Sequence, residues 1–299
     1  MTEVLLATCS SWPDGEPEGG LLVEALARRG LTAGWASWDD RSVDWSSARA
    51  VVVRSTWDYE TRRDEFLDWA DHVCRWSHLL NGPLVFRWNT DKSYLLDLER
   101  IGVPIVPTRM LADPVDLPDL SDFGDRVVVK PRVGAGGRGL SIVETTGELV
   151  PGVTDLAISE LGGDEERLGW IVQPLVTSVR TDGELSVFVL GGVPVSAARK
   201  LPAAGEIRVH EMYGGTTEPA PLDDEAMLLA TETVAATGQL LGEELAYARV
   251  DLLRLEDGRL VVAELEATEP GLYLDVLPAN ADAFADVVAA LVDEADPVT

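Results

Sequence analysis

The stretch VVVKPRVGAGGRGLSIVE, residues 127 to 144, concentrates the side chains best suited to holding an anion. Lys130 ends an apolar β-branched run, and Arg132 and Arg138 flank a loop carrying Gly134, Gly136, Gly137 and Gly139. Without Cβ atoms such a loop can lie against phosphates and present backbone N–H groups, while the lysine supplies a point charge. The spacing satisfies GxGxxG, but a strand pattern follows it, whereas a dinucleotide-binding fingerprint opens a helix; nor does GK[ST] close it as a Walker A loop. What remains is a glycine-rich hairpin, either a phosphate-binding loop or a surface hairpin with incidental glycines. The basic cluster beside it, in a chain with so few lysines, favours the first.

A second group lies near the other end. Asp251 sits in ARVDLL, and Glu264 and Glu266 sit two apart in VVAELEA, so a strand places both glutamates on one face and a hairpin brings Asp251 alongside. Carboxylates so placed repel one another unless a cation lies between them, and an oxygen-only set of this kind suits Mg²⁺ bridging to nucleotide phosphates. The alternative is a solvated polar face, against which stand the apolar neighbours Val250, Leu252, Val262, Ala263 and Leu265. Lys92, in NTDKSYLLDL, falls in the first turn of an expected helix, where the macrodipole disfavours a cation; alone it reads as a solvated lysine. His72, His78 and His210 form no HExxH, and no GxSxG is present, so zinc hydrolysis and serine acyl transfer are excluded.

These groups need a scaffold. Val4 to Ala7, Ala33 to Trp38, the run AVVV at 50 to 53 and LVF at 84 to 86 read as strands. They alternate with helices over LLVEALARRG and from Thr61 to Leu80, the latter carrying His72 and His78. Residues 1–88 are thus expected to form a doubly wound α/β domain. Thr90 is expected to cap a helix ending near Gly102, after which short strands dominate, then a helix from Asp224 to Leu241, a hairpin turning at Glu256-Asp257-Gly258, and a last helix from about Asp282 to Val292. This part, 89–299, reads as α+β, with a flexible connection at 113 to 125.

Over 299 residues, 52 acidic and 24 basic side chains give a formal charge of -28, and the only lysines are Lys92, Lys130 and Lys200. So acidic a chain has no counterion-releasing basic face, which excludes nucleic acid and anionic membrane as partners; any anion must be bound locally. Cys9 and Cys74 suggest neither a disulfide framework nor a metal site, and a reducing cytoplasm is expected.

The order of strand-borne lysine, glycine-rich hairpin, hinge strand, then Asp and Glu-x-Glu resembles the ATP-grasp superfamily on its glutathione-synthetase-like side, from about Asn89 to Pro278. The resemblance implies an ATP-grasp fold behind a substrate domain, with a lid subdomain at about 113–172 and a nucleotide and metal subdomain at 173–299. It implies ATP contacts at Lys92, Lys130 and the loop Gly134, Gly136, Gly137, Arg138 and Gly139, and an adenine-holding hinge at Gln173, Leu175 and Val176. Glu184 becomes the ribose contact, Arg199, Lys200 and Arg208 the triphosphate and acyl-phosphate contacts, and Asp251, Glu264 and Glu266 the Mg²⁺ ligands. Glu266 stands where relatives often carry Asn, Ser186 where some carry a substrate-contacting Arg, and His210 where Asn is common. The phrases VVVRSTWDY and FRWNTDKSYLLDLERIGVPIVPT look most similar to the small branch that includes the D-cycloserine-forming ligase.

That resemblance implies an ATP- and Mg²⁺-dependent carboxylate–amine ligase acting through an acyl phosphate, which needs no side-chain nucleophile; on the closer resemblance, it closes an O-ureidoserine into a ring. Arg54, Ser55, Trp57 and Tyr59, beyond the end of an apolar strand, and His210 are the expected substrate contacts. Intermolecular amino-acid ligation is the alternative. A small-molecule kinase or a nucleotide-binding protein without catalysis are alternatives of another class, and a homo-oligomer is left open.

Overall fold

A computed structural model describes residues 2–112, 120–145 and 169–294. Three sheets organise them. The first has the order β2-β1-β3-β4 and is parallel, from β1 (Val4–Thr8), β2 (Ala33–Ser37), β3 (Ala50–Ser55) and β4 (His78–Leu79). Helix α1 (Gly20–Arg28) covers one face through Leu22, Ala25 and Leu26, and α2 (Arg63–Val73) the other through Phe66, Trp69 and Val73. Strand β3 is buried throughout, as a parallel strand covered on both faces must be.

The structure departs from expectation at several points here. The long helix stops at Val73, leaving Trp76 65% exposed and His78 on β4 rather than on the helix. LVF at 84 to 86 lies inside α3 (Gly82–Asn89), because Pro83 occupies the first helical turn, where its fixed φ and missing N–H favour a helix start. A three-residue apolar run does not separate strand from buried helix. Thr90 closes α3 instead of opening the next helix: its hydroxyl donates to the Phe86 carbonyl at 2.8 Å. The following α4 is shorter than expected, Tyr94–Arg100.

The second sheet, order β5-β8-β6-β7, is antiparallel: β5 (Arg109–Leu111), β6 (Arg126–Pro131), β7 (Ser141–Glu144) and β8 (Trp170–Pro174). It carries the glycine loop between β6 and β7. Half of the expected lid region, residues 113–119 and 146–168, and with it part of the expected flexible connection, lies outside the described residues.

The third sheet, order β11-β10-β9-β12-β13, comprises β9 (Glu184–Leu190), β10 (Val193–Leu201), β11 (Thr216–Ala220), β12 (Tyr247–Arg254) and β13 (Leu260–Glu266). Helix α5 (Asp224–Leu241) packs on one of its faces, with Asp223 capping it by accepting from the Ala226 N–H at 2.8 Å. Helix α6 (Ala279–Glu294) returns to the first sheet and lies against α1, where Arg29 pairs with Asp282 and Asp286. Val4, Leu22, Phe188, Tyr247 and Phe284 therefore share one core, which fixes the first sheet rigidly against the third.

Candidate active site

The third sheet aligns a row of charged residues on one face. Strand register places Lys200 opposite Glu184, Asp251 opposite both Ser186 and Glu264, and Arg249 opposite Glu266. The expectation that Glu264, Glu266 and Asp251 share a face thus holds. What lies between them was not expected. The Arg249 guanidinium bridges Asp251, at 2.9 Å from two nitrogens, and Glu266. Ser186 Oγ donates to Asp251 at 2.6 Å, Lys200 pairs with Asp251 at 3.0 Å and Glu184 at 2.5 Å, and Lys92 pairs with Glu264 at 3.1 Å.

Burial sets the electrostatics. It works against the charge of Asp251, yet Arg249 and Lys200 hold that carboxyl well below its ordinary range. It pushes Glu266 up to about 7 and Glu269 up to about 8, the latter helped by the neighbouring Glu266 charge. Burial opposes ionised Glu264 too, but Lys92 and Lys130 prevail and lower it. The donor set is all oxygen, as Mg²⁺ prefers. With these ion pairs in place, no group of three acidic, histidine or cysteine residues among the described residues is arranged to hold a metal ion.

Strand β13 is positioned by the segment NTDKSY. Asn89 donates to the Leu265 carbonyl and accepts from the Ala267 and Thr268 N–H groups, while Tyr94 Oη accepts from the Leu265 N–H at 2.8 Å. Lys92 precedes α4, so the helix dipole does not act against it from within the first turn. Its backbone N–H donates to the Arg132 carbonyl, and Arg132 forks onto Asp91 at 2.6 and 3.0 Å. Lys92 Nζ reaches Gly134 O at 2.5 Å, joining the glycine loop to Glu264.

The loop closes over this face. Gly136 and Gly137 adopt φ of +61° and +74°, a region that favours glycine, and a Cβ at Gly137 would meet Arg208 Cγ at 3.4 Å. From the first domain, Glu60 accepts from the Ala135 N–H at 2.6 Å and pairs with Arg138. Lys130 contrasts with the other two lysines: among the described residues its ammonium has no hydrogen-bond or ion-pair partner, and burial lowers its pKa. A half-buried cation beside a glycine-rich loop, whose backbone can approach closely, is matched to an anionic ligand such as a phosphate.

Other expected contacts divide. Gln173 is buried with Nε2 on Thr108 Oγ1 at 2.9 Å, and Val176 sits in a small apolar cluster with Val106, Val261 and Ala263. The Leu175 N–H is spent on the Arg126 carbonyl at 3.0 Å, so this group is not open to an adenine. Arg199 is a correction: it neighbours Lys200 on β10, so the period of two turns it to the opposite, exposed face, away from Asp251. Arg208 is held by Glu206 at 2.6 Å and stacks 3.6 Å from the Tyr213 ring centroid beneath the loop. His210 lies near Gly136, its imidazole kept below its ordinary pKa first by burial and then by Lys200, Arg249 and Arg138.

On the substrate side, Arg54 is also a correction. It is fully buried, its Nη2 bonded to Glu16 at 2.8 Å and to the Pro270 carbonyl at 2.6 Å, with the Phe284 ring 4.7 Å away, so that nitrogen ties the domains together, while Nε and Nη1 have no hydrogen-bond partner among the described residues. Ser55 beside it is fully buried. Trp57 and Tyr59 do reach the site: Trp57 Nε1 donates to the Glu269 carbonyl at 3.3 Å, and the Tyr59 hydroxyl lies beside the Glu269 carboxyl. Sequence reasoning missed Arg249, Glu269 and Glu60. Arg249 had a signal, since it lies two before Asp251 and hence on its face.

The chain is similar to known proteins over both of its parts. The family model described as the N-terminal domain of D-cycloserine synthetase DcsG matches residues 4–81, and that of the prokaryotic glutathione synthetase ATP-grasp domain matches residues 98–255. The chain is 32% identical over 278 residues to the cycloserine biosynthesis protein DcsG of Streptomyces lavendulae, covering 90% of this chain and 91% of that protein. It is 29% identical over 193 residues to a glutathione synthetase of Prochlorococcus marinus (strain MIT 9313), covering 64% of this chain and 57% of that protein. Among solved structures, D-cycloserine synthetase DcsG superposes with a TM-score of 0.81 at 28% identity, covering 97% of this chain and 99% of that one. The ATP-grasp ligase PsnB, complexed with a phosphomimetic variant of its minimal precursor, Mg and ADP, shares the fold at a TM-score of 0.63 and 18% identity, covering 97% and 98%. With one family model spanning more than half of the chain, and a relative matched over nearly its whole length, the chain belongs to the ATP-grasp ligases, ATP-dependent enzymes that form C–N bonds.

Proposed function

We propose that the chain closes an O-ureidoserine into D-cycloserine, by phosphorylating the substrate carboxylate and letting the ureido nitrogen displace phosphate, with the carbamoyl group then lost to water. The relation to DcsG supports this, because it extends through the first domain as well as the ATP-grasp part. Residues 1–88 act as the substrate domain and 89–299 as the nucleotide-binding part.

The observation that carries the ATP reading is Lys130, half-buried near the end of β6 where the glycine loop begins, its ammonium without a partner among the described residues and its pKa lowered first by burial. In this reading Lys130 and Lys92 hold the phosphates, and the loop from Gly134 to Gly139 covers them and excludes water. Val176 and Gln173 border the adenine, and Glu184 the ribose. Arg208 and Lys200 face charge developing on the transferred phosphoryl group. Asp251, Glu264 and Glu266 are the residues that would hold Mg²⁺, which when bound offsets the charge of the phosphates. Trp57, Tyr59 and His210 border the small polar substrate.

The test is to incubate the protein with ATP, Mg²⁺ and O-ureido-D-serine, following phosphate release and D-cycloserine by mass spectrometry. Stoichiometric phosphate and D-cycloserine are expected. Phosphate release only with a separate amine acceptor would replace ring closure by intermolecular ligation, the reading that the glutathione synthetase match favours.

A further inference from the structure

Glu60 lies in the turn Tyr59–Thr61 that follows β3, and it is only 5% exposed. Among the described residues its carboxylate bonds solely to the glycine loop, accepting the Ala135 N–H at 2.6 Å and pairing with Arg138, which also donates to the Trp57 carbonyl at 3.5 Å. A buried carboxylate is costly unless paired, and both of its partners belong to an element that other sheets carry. If the loop lifts, Glu60, the Ala135 N–H and the Arg138 guanidinium all lose their partners together. At the loop's far side Gly137 stands against Arg208 and Tyr213, so the loop spans the site from Glu60 to the Arg208 segment. The same turn places Trp57 and Tyr59 on Glu269.

We propose that Glu60 is a positioning residue that latches the glycine loop closed over the acidic face, and so ties closure of the loop to the Trp57–Tyr59 side of the site. The inference rests on the loop being the phosphate cover. It assigns the first domain a part in closing the nucleotide site, through one side chain that spans the two.

The test uses the full-length protein without nucleotide. Limited trypsin digestion read by mass spectrometry measures cleavage after Arg138 in Glu60→Gln and Glu60→Ala. Cleavage at least about tenfold faster is expected, with cleavage after Arg62 and Arg63 and the melting temperature unchanged. A rate equal to that of the unmodified chain overturns the latch. In the unmodified chain the Ala135 amide exchanges at least about tenfold slower than an unprotected amide; exchange at the unprotected rate also overturns it, whether or not the variants fold. With ATP and O-ureido-D-serine present, both variants release at least about threefold more ADP per D-cycloserine formed, because water reaches the activated carboxyl, and an unchanged ratio counts against the latch. If the variants speed cleavage but ATP fails to slow it in the unmodified chain, the latch stands and the phosphate reading of the loop falls.

Discussion

Glu269→Gln offers a sharp test of the site's electrostatics. The carboxyl of Glu269 is pushed from an ordinary 4.5 up to about 8, first by burial and then by the adjacent Glu266. A group that binds its proton more tightly in the folded chain contributes stability that is fully present below its unfolded pKa and is lost as pH rises through the folded value. Across that interval a single group could cost the nucleotide-free protein roughly 5 kcal/mol at most. Glu266, itself raised to about 7, shares the same repulsion, so about half of that ceiling, roughly 2–3 kcal/mol, is assigned to Glu269. Glutamine mimics the protonated acid and keeps an acceptor for the Tyr59 hydroxyl. Urea unfolding in chelator should therefore show the variant equal to the unmodified protein near about pH 5 and more stable by roughly 2–3 kcal/mol near about pH 9. A stability difference that does not change with pH, or a variant less stable at the alkaline end, would refute the reasoning.

Lys130→Ala should weaken ATP binding by roughly 10- to 100-fold, the loss of one charge-assisted contact to phosphate; calorimetry giving normal affinity would reject its role. Glu264→Gln should abolish Mg²⁺-dependent turnover while the circular dichroism spectrum is retained, and unchanged activity at low Mg²⁺ would sink the metal assignment. Arg199→Ala and Lys200→Ala separate the two faces of β10: the first should leave kcat/KM within about twofold, and the second should lower it at least about a hundredfold, because Asp251 and Glu184 lose a buried partner. Equal effects in steady-state assays would show that the strand period does not set their roles.

The catalytic part was the more legible because its chemistry is written in strands. A period of two and a hairpin turn suffice to put Asp251, Glu264 and Glu266 on one face, and the register bears that out. The same rule, applied consistently, would have separated Arg199 from Lys200 and joined Arg249 to Asp251. Glu60 and Glu269 had no such signal: one sits in a turn and the other beyond the end of β13, and only tertiary packing brings them to the loop and to Tyr59. The errors in the first domain have a local cause, since LVF after Gly-Pro is too short for its period to reveal a helix. Arg54 differs for the opposite reason: a strand-end arginine in an open α/β sheet points to a ligand only if a cleft opens there, and here the side chain is fully buried with Nη2 on Glu16 and the Pro270 carbonyl. The charge balance is the clearest case of a global property resolving into a local one. Net charge of -28 leaves the acidic surface hostile to polyanions, yet the three lysines gather on this site, Lys92 on Glu264, Lys200 on Asp251, and Lys130 where the glycine loop begins. Buried cations and carboxylates hold one another in their charged forms there, and the one lysine without a partner among the described residues is the one left to meet an incoming phosphate.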